Sequence, residues 1–149
     1  MYKFPLQKLG EYRKRQEEIY QKDLSECNRN INHEAKKLKN LNTSKKKAYR
    51  KIQEIQKESF TTSDNLLFGY YLENLEKKIN DENNKIYNLE LQKDNITDKL
   101  LEAVKKRKMI DKLKEYGLEK HRKEMNKRAQ YQLDESGAYR FGRKLMSNP

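Results

Sequence analysis

Two apolar stripes, each stepping by alternating threes and fours, constrain this chain more than any other feature. The first runs through Leu24, Cys27, Ile31, Glu34, Leu38, Leu41, Lys45, Ala48, Ile52 and Ile55, eight of ten apolar. The second runs through Leu72, Leu75, Ile79, Glu82, Ile86, Leu89, Lys93, Ile96, Leu100 and Ala103, again eight of ten. A disordered polar chain has no reason to hold that phase over about five heptads, whereas two supercoiling helices require it. The positions between are rich in Lys, Glu, Gln and Asn, as solvated helix faces are.

Composition supports the same class. Of 149 residues only 34% are hydrophobic and 39% are charged, and the mean hydropathy is −1.32. A globular core normally takes nearer half the residues. Five Gly, two Pro and no Trp leave too little punctuation for an all-β or α/β fold.

Between the stripes lies Ser59-Phe60-Thr61-Thr62-Ser63-Asp64-Asn65, the densest run of cap and turn formers. Thr61, backed by Asp64, is suited to cap a second helix, and so is Ser63 alone. The fold class is therefore all-α, a long antiparallel two-helix coiled-coil hairpin. It reads as a single coiled-coil domain over 1–149: helix one about 5–59, a tip about 60–65, helix two about 66–136, and a loose tail 137–149 flagged by Gly137 and Gly142. Helices of about 55 and about 70 residues make a rod, about 80 to 100 Å long.

Antiparallel pairing brings together residues whose numbers share a sum. A sum of 127 sets Lys45 against Glu82 and Glu34 against Lys93, so the four charges in the stripes meet in opposite-sign pairs and fix the register. In that register Cys27 faces Leu100. Upstream, Leu9, Tyr12, Gln16 and Ile19 run out of phase with Leu24, which predicts a stutter between Ile19 and Leu24. Downstream, Ile110, Leu113, Leu118, Met125 and Leu133 form a looser stripe.

Charge points outward. The net charge is +12, with 16 basic and 8 acidic residues over 1–59, 5 and 9 over 60–104, and 14 and 6 over 105–149. The basic ends suit acidic partners. Phosphate loops, nucleophile elbows and ligand-spaced His or Cys are not found, so enzymatic activity, cofactors, metals and small-molecule substrates are not expected. His33 and His121 read as solvated helix residues and Cys27 as a small apolar stripe residue. With one cysteine, no membrane-length apolar run and no signal-peptide core, a cytoplasmic setting is expected.

The ends carry a resemblance. Phe4-Pro5-Leu6-Gln7-Lys8-Leu9, then Glu11-Tyr12-Arg13 and Glu17-Glu18, resembles the start of the FliJ family, coiled-coil stalk proteins of flagellar export. Tyr70-Tyr71-Leu72-x-x-Leu75-Glu76-Lys77-x-Ile79 resembles its second-helix start, and Leu133-Asp134-Glu135-x-x-x-Tyr139-Arg140-Phe141 its end. Gly10 departs from the family's usual aliphatic residue and is expected to loosen the first turns.

The resemblance implies a stalk and escort factor similar in shape to the central stalk of rotary ATPases. It implies insertion of paired N- and C-terminal helices into a hexameric flagellar export ATPase, with Leu9, Arg13, Gln16, Asp134, Glu135 and Arg140 facing the ring. A membrane export gate protein would meet Tyr70, Tyr71 and Leu75, although the heptads place Leu75 in the seam. Export chaperones are further implied partners, and the protein would associate peripherally with the membrane export apparatus. The alternatives are an equivalent injectisome stalk and, on charge alone, a basic coiled coil that binds nucleic acid.

Overall fold

The computed structural model describes residues 1–58 and 61–147. Ser59 and Phe60, where the expected tip begins, lie outside the described residues. Two helices account for nearly everything: α1 spans Gln7–Glu58 and α2 spans Thr62–Ser147, and no strand occurs among the described residues. The fold is an all-α, antiparallel two-helix coiled-coil hairpin.

Local chemistry sets the helix starts. Pro5 lies in a turn closed by Gln7 N donating to Phe4 O at 3.3 Å, and Gly10 N then donates to Leu6 O at 2.9 Å. At α2, the Thr61 hydroxyl accepts from the N–H of Asp64 at 3.3 Å, while Asn65 N donates to Thr61 O at 3.1 Å. Thr61 is thus the N-cap, and Asp64 adds negative charge to the first turn, where the helix dipole favours it. Helix two therefore begins at Thr62, earlier than the expected 66.

It also ends later, at Ser147 rather than near 136, so the tail expected to be loose is helical as far as that residue. Gly137 and Gly142 each weaken a helix by about 1 kcal/mol relative to Ala, but neither adopts positive φ. Helix-forming neighbours carry the backbone through both.

The contacts divide the chain into two compact units. Unit 2, Glu18–Leu101, holds most of both stripes. Every position of the first stripe is buried or half-buried, and so is every position of the second that falls in this unit except Lys93, which is exposed. The stripes pack as the spacing predicts, but the contacts across the seam depart from the expected register. The thiol of Cys27 donates to the carbonyl of Leu89, not near Leu100, at 3.4 Å. Glu34 meets Glu82, not Lys93, and Lys45 pairs with Glu76, not Glu82, at 3.5 Å. Cys27 with Leu89 and Glu34 with Glu82 sum to 116 and Lys45 with Glu76 to 121, all short of the expected 127 by six to eleven residues. A slip of about two to three helical turns returns the apolar faces to the seam. Only the charges could discriminate, and they did not set the register, since two of them meet with like sign. No large side chain among the described residues is fully sealed from solvent.

Unit 1 joins Met1–Glu17 to Glu102–Pro149. Its core is Ala103 and Ile110. Gly10 lies against it: a Cβ there would stand 3.3 Å from Ile110 Cγ2. Gly10 therefore permits a close approach instead of loosening the turn. The half-buried residues of α1 upstream of Leu24 include Gly10, Arg13, Glu17 and Tyr20, which continue the heptad phase. Leu9, Tyr12 and Ile19 are exposed, Ile19 by 56%. No stutter is needed, because α1 keeps its phase by seating polar residues and leaving apolar ones outside. In α2, Arg107, Gly117 and His121 are likewise half-buried while Leu113 and Leu118 are exposed.

Candidate partner-binding surfaces

Unit 1 carries the residues expected to face an ATPase ring. Arg107 donates to Glu17 in a close ion pair and, through Nη1, to Asp111 Oδ2 at 2.7 Å. The contact with Glu17, resisted by partial burial, holds the Arg107 guanidinium above its ordinary pKa, so the group stays charged. Tyr2 packs against His121 with ring centroids 5.3 Å apart, and its hydroxyl occupies the space beside Gly117. Beyond His121 every described residue of α2 is exposed, as far as Ser147. This stretch presents Met125, Tyr131, Leu133, Tyr139, Phe141, Leu145 and Met146.

The expected ring-facing residues therefore separate into two groups. Leu9 is exposed, while Arg13 and Gln16 are half-buried. Arg13 lies over the Tyr12 ring at 5.7 Å and donates to Gln16 Oε1 at 3.4 Å, and Gln16 Nε2 donates to the Tyr12 hydroxyl at 2.9 Å. Asp134, Glu135 and Arg140 lie on the exposed stretch of α2, where Asp134 accepts from Gln130 at 3.2 Å and Arg143 lies over the Tyr139 ring at 5.7 Å. The two groups are not brought together, because Asp134, Glu135 and Arg140 lie past the point where Tyr2 meets His121.

In unit 2, Tyr70 and Tyr71 are exposed and Leu75 is only 6% exposed. Leu75 is a seam residue and is withdrawn from the gate-facing patch. Leu66 and Leu67 are exposed near the two tyrosines. The spacing does not single them out, because the apolar stripe starts at Leu72 and the resembling motif at Tyr70. The pair Lys45–Glu76 shows that part of the basic run 45–51 is balanced within the unit.

Among the described residues no group of three or more His, Cys, Asp or Glu is placed to hold a metal, and no helix is long and apolar enough to cross a membrane. The described residues form a helical protein with exposed aromatic and charged surfaces. The chain matches the family described as Flagellar FliJ protein over residues 2–146, nearly its whole length, and belongs to that family. It is a coiled-coil protein related to flagellar export. No curated protein and no solved structure gave a match.

Proposed function

We propose that the chain is a non-enzymatic stalk and escort factor of the flagellar export apparatus, cytoplasmic and held peripherally at the membrane. It binds the hexameric export ATPase, promotes its assembly and activity, and links it to the export gate. The observation that carries this reading is the exposed stretch of α2 from 122 to 147, with its aromatic and aliphatic side chains beside Arg140 and Arg143. Exposed apolar surface on this scale marks a binding site more often than a solvated face. The net charge of 105–149, 14 basic against 6 acidic, would orient the helix toward an acidic ring lumen. Leu66, Leu67, Tyr70 and Tyr71 form the surface offered to the gate. The chaperone-escort role rests on the family relationship.

The test is to titrate the full chain into purified hexameric export ATPase and follow ATP hydrolysis. Activation should rise and saturate, since a ligand of the assembled ring stabilises it by mass action. Arg140→Glu combined with Phe141→Ala should weaken activation several-fold, while Lys57→Glu should leave it nearly intact. If the Lys57 variant loses activation and the α2 variant keeps it, the assignment of surfaces is wrong.

A further inference from the structure

The polar residues of unit 2 include one arrangement that neither stalk function nor coil stability calls for. Glu34 of α1 and Glu82 of α2 face each other across the seam, and Glu82 is only 9% exposed. Each outer oxygen has a cation: Lys37 Nζ lies 3.6 Å from Glu34 Oε1, and Lys85 Nζ lies 3.8 Å from Glu82 Oε1. Each inner oxygen has none. Glu34 Oε2 and Glu82 Oε2 are both buried without a donor. Two ionised carboxylates offer only acceptors, so nothing in either side chain can satisfy the other.

We propose that Glu34 and Glu82 hold one proton between them, and that this pair makes the seam of unit 2 a proton-controlled clasp. It is closed when the shared proton is bound and loosened when both carboxyls are charged. A single proton converts one acceptor into a donor and satisfies both inner oxygens at once. Losing it leaves two like charges facing each other in a partly dry seam, an arrangement that resists full ionisation. The other charged groups around the pair are Lys37 on α1 and Lys78, Asp81 and Lys85 on α2, which line the adjoining cleft. The lysines limit the repulsion but reach only the outer oxygens.

The electrostatics agree with the geometry. Contact with Glu34, then burial, pushes the Glu82 carboxyl above the ordinary value of 4.5. Contact with Glu82, opposed by burial and helped by Lys37 and Lys85, pulls the Glu34 carboxyl below it. A raised carboxyl contributes stability below the ordinary value and loses it as pH climbs through the raised pKa. A lowered one contributes above the ordinary value and loses it as pH falls through the lowered pKa. The clasp is therefore tightest between the two, in a window straddling 4.5, and slackens on the alkaline side.

The test follows the side-chain carboxyl carbons of the 13C-glutamate-labelled full chain by NMR through a pH titration. Two resonances should titrate on either side of the remaining glutamates, and both displacements should vanish in E82Q. In parallel, the wild-type Tm should fall as pH climbs from the ordinary value of 4.5 to the raised pKa, by about 3 °C per pH unit, and level off above it. The E82Q chain, whose amide supplies a permanent donor, should keep its Tm. Glu34 and Glu82 titrating with the exposed glutamates would overturn the proposal, as would identical Tm profiles for wild type and E82Q.

Discussion

Cys27 and Leu89, 62 residues apart in sequence, meet across the seam of unit 2 through a thiol-to-carbonyl contact of 3.4 Å. That contact places the two helices in a register that the apolar pattern alone leaves open. As the chain's one cysteine, Cys27 also supplies a direct assay. Leu89→Cys should form an intramolecular disulfide with Cys27 under mild oxidation, and Leu100→Cys should not, because disulfide geometry tolerates Cα separations only up to about 7 Å. Non-reducing peptide mapping reads the outcome, and a Cys27 link to position 100 would restore the register that pairs Glu34 with Lys93.

Lys93 gives an independent check on the same point. It is exposed, so Lys93→Glu should change stability by no more than about 0.5 kcal/mol in urea unfolding. Were Lys93 in the seam against Glu34, the same change would place two carboxylates together and the loss would be plain.

Glu17 and Arg107 perform in unit 1 the task that the sequence assigned to Glu34 with Lys93. They are an opposite-charge pair on heptad positions, with side chains 12% and 29% exposed, and Asp111 steadies the guanidinium. Arg107→Met should cost about 1–3 kcal/mol, mostly through the carboxylate it strands. Arg107→Lys should recover only part of this, since an ammonium cannot bond both carboxylates with the fork of a guanidinium. Chemical denaturation of the three chains gives the ranking, and equal stability of all three would remove the pair from any structural role.

The fold class was legible because heptad spacing is a direct consequence of helix geometry, and the stripes from Leu24 to Ile55 and from Leu72 to Ala103 are the ones that pack. The cap at Thr61 was legible because its hydroxyl stands three residues before Asp64. The seam beyond the stripes was not. Arg107 sits inside the basic run Lys105-Lys106-Arg107-Lys108, and nothing in composition separates the one that turns inward from the three that do not. Nor could Gly10 and Gly117 register in a search for apolar periodicity, although each marks a close approach of another side chain. Of the candidate surfaces, the C-terminal motif was visible as Leu133 with Tyr139, Arg140 and Phe141. That Leu9, Arg13 and Gln16 stand apart from it depends on where α1 ends along α2, which the pattern leaves undetermined.

The glycines divide by what surrounds them, and the division yields opposite expectations for one substitution. A Cβ at Gly69, Gly137 or Gly142 would meet nothing within 4 Å. All three lie inside α2, so each change to Ala should stabilise the helix by about 0.5–1 kcal/mol through lower backbone entropy in the unfolded chain. At Gly10 the same gain is opposed by crowding against Ile110, a buried neighbour with little room to yield, so Gly10→Ala should show no net gain or a small loss. At Gly117 the obstacle is the hydroxyl end of Tyr2, a side chain on the segment ahead of α1, which can swing away. Gly117→Ala should therefore leave global stability within about 1 kcal/mol while separating Tyr2 from His121. Loss of the ring-current shift of the His121 protons, with an unchanged unfolding midpoint, is the expected signature. A retained shift would mean that Tyr2 does not occupy the space above Gly117.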